Sequence, residues 1–111
     1  MWVFMSNAFL SIVEHRAKYD YLLVRARAEG DIERVFPDAT VTKTPAADYL
    51  FRAVIPRQEV AAAMAAQVEA IAYDNFKNSV AEDDRHRAYF GAWAAMNDFQ
   101  RRRAGEDEDH Y

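Results

Sequence analysis

Two aromatic and β-branched runs open the chain, Trp2 to Met5 and Phe9 to Arg16, with the short break "SNA" between them. Such composition on either side of a small polar break predicts a hairpin of two strands. In "YLLVRARA" the residues Leu22, Val24 and Ala26 alternate with Leu23, Arg25 and Arg27, so one face is apolar and the other ends cationic. This period of two predicts a third strand. Gly30 and Asp31 then punctuate the chain; Asp31 is a candidate cap for a short helix carrying Ile32, Val35 and Phe36, which Pro37 ends.

"TVTKT" and "DYLFRAVI", with "PAA" between them, predict a second hairpin in which Tyr49, Phe51, Ala53 and Ile55 share a face. Pro56 opens the strongest helical stretch, "RQEVAAAMAAQVEAIA", where Val60, Met64, Val68 and Ile71 form a narrow stripe on an alanine-rich body able to lie close to a sheet. "YDNFK" (73–77) predicts a last short strand. A final helix from Asp83 to Arg102 carries Tyr89, Trp93, Met96 and Phe99 at helical spacing. The tail "AGEDEDHY" lacks an apolar pattern, which predicts disorder.

From Tyr21 onward the order is strand, helix, strand, strand, helix, strand, the split arrangement of ferredoxin-like folds. The expectation is an α+β domain over residues 1–103: an antiparallel sheet with a ferredoxin-like βαββαβ core, an N-terminal β-hairpin before it and an amphipathic C-terminal helix after it. Residues 104–111 are expected as a disordered acidic tail.

With 111 residues, half of them apolar, one compact domain can bury a core. Fourteen Lys and Arg against eighteen Asp and Glu give a net charge of −4, but four of the acids, Glu106 to Asp109, sit near the C-terminus and leave the body neutral. That disfavours broad nonspecific binding to nucleic acid while leaving room for a local basic patch. No cysteine is present, which removes disulfides, thiolate metal sites and cysteine nucleophiles and agrees with a reducing cytoplasm, the expected compartment. The apolar opening "MWVFMSNAFLSIV" lacks a basic leader and is too short to span a bilayer, so it is expected to belong to the fold rather than to a signal or membrane segment.

Catalytic motifs are wanting. Ser6, Ser11 and Ser79 lie in no nucleophile elbow, and three glycines, at 30, 91 and 105, make no phosphate cradle. His15, His86 and His110 are scattered; "EDDRH" gathers Glu82, Asp83, Asp84 and His86, for which a solvated helix start is a simpler account than a metal site. No enzyme, metal or cofactor is expected. "YDNFKNSV" mixes polar types, but alternation splits them between two faces, so it is expected to be a strand end and connector.

The combination "MWVF…FLSIVEHR…YLLVRARAEGDIERVFP…ADYLFRAV…YDNFKNSV…AYFGAWAAM" resembles a group of small uncharacterised bacterial and phage proteins of GC-rich genomes. The resemblance spans Trp2 to about Phe99. It implies a self-contained domain, associated with phage or mobile elements, and carries no activity or site residue with it.

Two surfaces remain as functional candidates. Tyr89, Trp93, Met96 and Phe99 are residue types enriched where proteins meet, so the stripe is expected to contact a protein partner or a second copy unless it covers its own sheet. Arg25, Arg27 and Arg52 are the alternative: neighbouring strands would bring three guanidiniums to one face, with Tyr21 and Lys43 near, as a patch for an anionic ligand, nucleotide or RNA. The plainer account pairs them with Glu14, Glu29 and Asp48. Protein contact is the leading expectation, as a non-catalytic interaction or regulatory protein and a homodimer.

Overall fold

The computed structural model describes residues 1–108. The chain divides into two compact units, one from Met1 to Asp74 and one from Asn75 onward, and each is described by itself. The first unit is α+β, with helices against a five-stranded antiparallel sheet. Strands β1 (Trp2–Met5) and β2 (Ala8–Glu14) form the expected hairpin, and β3 (Tyr21–Ala26) pairs with β2. Helix α1 (Asp31–Val35) follows, then the short β4 (Thr42–Lys43), β5 (Phe51–Pro56) and helix α2 (Arg57–Glu69).

The strand order is β1-β2-β3-β5-β4, every neighbour antiparallel. β3 and β5 are central neighbours, as a ferredoxin-like core requires, yet the βαββαβ order is not completed. The strand expected at 73–77 does not form; Lys77–Ser79 make a single 3₁₀ turn. The edge of β3 where a last core strand would pair is filled by β2, whose Ser11 to Glu14 run opposite Arg25 to Leu22. Asn75 Oδ1 accepts the Asn78 amide N–H (3.3 Å) and the Ser79 hydroxyl donates to the Phe76 carbonyl, so the Asn75 and Ser79 side chains of "YDNFKNSV" serve to close a turn.

Period-two alternation sends Leu10, Ile12, Val24, Ala26, Ala53 and Ile55 to one sheet face, where Ile32 and Phe36 of the α1 segment and Val60 of α2 complete the core. Tyr49 does not join them. The chain bends over 47–50 before β5 begins, which breaks the alternation and turns the Tyr49 ring to the opposite side, against Arg25 and Arg27. Of the expected stripe Val60 and, in part, Met64 pack, with Ala63 beside them; Val68 near the end of α2 and Ile71 beyond it are exposed, so half of the stripe has no core beneath it.

Asp31 is not the cap of α1. Gly30 holds that position at φ 89°, backbone that favours glycine, and supplies no side-chain bond. The Asp31 carboxylate is buried and accepts the Phe9 amide N–H (3.0 Å) and Arg34 Nη1 (2.9 Å), while Arg34 Nη1 also reaches the Asn7 carbonyl (2.9 Å). Asp31 and Arg34 thereby hold the β1–β2 turn and fix where the hairpin's aromatic side chains stand.

The second unit is dominated by α3 (Asp83–Glu108), 26 residues long. It runs five residues past Arg103, into the stretch expected to be disordered; of that stretch, 109–111 lie outside the described residues. Among the described residues no helix is long and apolar enough to cross a membrane.

Candidate functional site

The outer face of the sheet carries the alternate residues. Cross-strand register sets Trp2, Ser11, Arg25, Arg52 and Thr42 in one row over all five strands. Arg25 and Arg52 stand directly opposite each other, an arrangement that like charges oppose unless something offsets it. Part of the offset is local. Arg25 Nη2 donates to the Ser11 hydroxyl at 2.7 Å, and the guanidiniums of Arg25 and Arg27 lie over the buried Tyr49 ring at 4.5 and 4.1 Å from its centre. Stacking of this kind draws a cation to the negative face of the ring.

Asp48, one of the acids expected as a partner, sits 3.5 Å from Arg52 Nη2, and its backbone carbonyl accepts Arg27 Nη1 at 3.1 Å. The Asp48 side chain is 71% exposed, so this ion pair is screened by water and contributes little. The Nε atoms of both Arg25 and Arg52 are buried without a hydrogen-bond partner. Two orphan donors on directly opposed arginines are unusual, because buried N–H groups ordinarily find an acceptor.

Beside the row stands an aromatic group. Phe4 and Phe9 are directly opposite, with ring centres 4.6 Å apart, and Trp2 meets Phe9 edge-on at 6.4 Å. Trp2 and Phe4 are exposed. The structure thus brings Arg25 and Arg52 together as expected and Arg27 close by through Tyr49. Tyr21 stands at the far end of β3 under Lys18, and Lys43 alternates to the other side of the sheet toward Phe51. The sequence does not place Ser11, Tyr49 or the aromatic trio beside the arginines; the alternation Phe9, Ser11, Val13 against Leu10, Ile12 is the available signal for Ser11 and Phe9.

A different surface lies on α3. Tyr89 is only 7% exposed, its ring stacked on Phe76 at 5.7 Å and its hydroxyl accepting Arg85 Nη1 at 3.3 Å. It therefore packs within its own unit and leaves the expected contact stripe. Phe90 takes its place: Phe90, Trp93, Met96 and Phe99 are spaced by three residues and are 50%, 47%, 62% and 43% exposed. Residues three apart form one inclined ridge on a helix, the element that fits a groove of another helix. Phe90 and Trp93 stack at 5.7 Å, Lys77 Nζ lies 4.4 Å over the Trp93 ring, and the Arg103 guanidinium lies 4.8 Å over Phe99. Trp93, Met96, Asn97, Phe99, Gln100 and Arg103 line a shallow open groove along the ridge.

At the start of α3 the acidic cluster does not converge. Arg85 Nε is 3.1 Å from Glu82 Oε1, Asp84 Oδ1 accepts the Arg85 amide N–H, and among the described residues no group of three or more acidic or histidine side chains is placed to hold a cation. No family model matches the chain, and no curated protein or solved structure is significantly similar to it. What the two surfaces do must follow from their chemistry.

Proposed function

We propose that the chain is a non-catalytic interaction protein that works by protein–protein contact through the α3 ridge, with a second copy of itself as the occupant. The observation that carries this reading is the open row Phe90, Trp93, Met96 and Phe99: four large apolar side chains, adjacent and each more than two-fifths exposed. Isolated exposed apolar residues are ordinary, but a contiguous aromatic and methionine row marks a surface that gains by being covered. Trp, Phe and Met are the types that dominate the centres of protein interfaces, and Lys77 and Arg103 at its margins provide a polar rim.

A second copy suits this row. A two-fold axis through the middle of the ridge would set each row against its own image, and self-complementary pairing of this kind is the commonest way soluble chains associate. Light scattering behind a sizing column, over a rising concentration series, is the test. A mass approaching twice the 12.8 kDa of one chain is expected. A single-chain mass throughout the series would overturn the self-association.

A further inference from the structure

The arginine row on the sheet lies wholly within the first unit and is independent of the α3 reading. We infer that Arg25 and Arg52 bind the phosphate of a nucleotide whose base stacks on the neighbouring Trp2 and Phe9. Three observations lead there. The first is the opposed pair itself: two fixed positive charges in register on adjacent central strands, a repulsion that an anion bridging them would turn into attraction. The second is the pair of buried Nε–H groups with no acceptor. A guanidinium presents its N–H groups as a planar fork that fits the oxygens of a phosphate; the two Nε atoms are covered, so an oxyanion would meet them only once the side chains turn outward, a move their lack of an acceptor leaves unopposed by any hydrogen bond at Nε.

The third observation decides between a phosphate alone and a phosphate attached to a flat ring. Trp2 stands in the same cross-strand row as Arg25, two strands away, and Phe9 lies on the strand next to it. With strands about 4.8 Å apart, Trp2 is roughly 10 Å from Arg25, within reach of a base whose phosphate is held by the arginines. Exposed aromatic rings beside a basic row are how sheets take up unpaired bases, by stacking on the ring faces. Ser11, buried between Trp2 and Arg25, fixes the Arg25 fork through its 2.7 Å bond and is a positioning residue. The row offers Arg25 and Arg52, with Arg27 close by, on a chain whose body is neutral, which limits the site to one or two phosphates, so the ligand is a free nucleotide or a short single-stranded segment rather than a duplex.

Trp2 supplies the readout. In full-length protein carrying Trp93→Phe, Trp2 is the sole tryptophan, and its fluorescence is followed at low salt during titration with adenosine monophosphate, adenosine, inorganic phosphate and a short single-stranded oligoadenylate. Adenosine monophosphate is expected to quench saturably, with adenosine binding at least about tenfold more weakly because it lacks the oxyanion. The logarithm of affinity should fall with the logarithm of salt at a slope of about −1 to −2, as for one or two phosphates. Tighter binding of the oligoadenylate than of the monophosphate assigns the site to single strands; equal binding assigns it to free nucleotide. Arg52→Lys keeps the charge but not the fork, and should lose about tenfold or more while circular dichroism stays unchanged. Absence of quenching by every nucleotide, or equal affinity for adenosine and its monophosphate, overturns the inference without any reliance on a variant.

Discussion

The two units use the same kinds of apolar side chain to opposite ends. In the first, Leu10, Ile32 and Val24 are wholly buried, closed between a sheet face and two helices. In the second, Val80 and Tyr89 are buried, while Phe90, Trp93, Met96 and Phe99 stand open along α3. The difference shows that apolar patterning marks a face to be covered without saying what covers it. Full burial of one such side chain is worth about 1.5–3 kcal/mol, so the open ridge holds a reserve of stabilisation that only an added surface can draw on.

Substitutions should separate the two kinds of apolar position sharply. Leu10→Ala, in the middle of the core, is expected to lower stability by about 2–5 kcal/mol in urea unfolding, since it removes buried methyls and leaves a cavity. A loss under about 1 kcal/mol would mean that the core is not packed as described. Next comes Asp31→Ala, expected to cost about 1–3 kcal/mol because it strands the part-buried Phe9 N–H and loosens Arg34's hold on the hairpin turn. Asp31→Asn, which keeps an acceptor, should cost less.

Helix α2 repeats the contrast within one element. Val60 is buried and Val68 exposed, so Val60→Ala should destabilise by about 1 kcal/mol or more, whereas Val68→Ala should fall within about 0.5 kcal/mol of zero or gain slightly from alanine's helix propensity. Equal losses at the two positions would show that the far end of α2 is covered in solution.

Much of this was legible in the pattern of the chain. Strands β1, β2 and β3 and helices α2 and α3 followed from period two and period 3.6, and the adjacency of Arg25 and Arg52 followed from placing "VRAR" and "LFRAV" on neighbouring strands. The misses share a cause. Whether "YDNFK" forms a strand depends on a free edge to pair with, and β2, a segment sixty residues earlier, already holds that edge. Tyr49 changed face because a bend at 47–50 reset the alternation. Asp31 became a buried acceptor for Phe9 rather than a cap because of a contact 22 residues away in sequence. Tyr89 turned inward because Phe76 was there to stack on. Local pattern identifies elements; which of their residues become site, core or surface is settled by partners distant along the chain.

The smallest expected effect on folding carries the most weight for function. Trp93→Asp changes an exposed position on α3 and should leave far-UV circular dichroism unchanged and the thermal midpoint of the dilute protein nearly so. Placed at the centre of an apolar ridge, however, its carboxylate would have to be desolvated in any pairing of two such faces. Sedimentation equilibrium of the wild type and Trp93→Asp at matched concentrations therefore tests the account most directly. A folded variant with the mass of one chain beside a wild type of about twice that mass is the predicted result. A folded variant whose mass equals that of the wild type would contradict it.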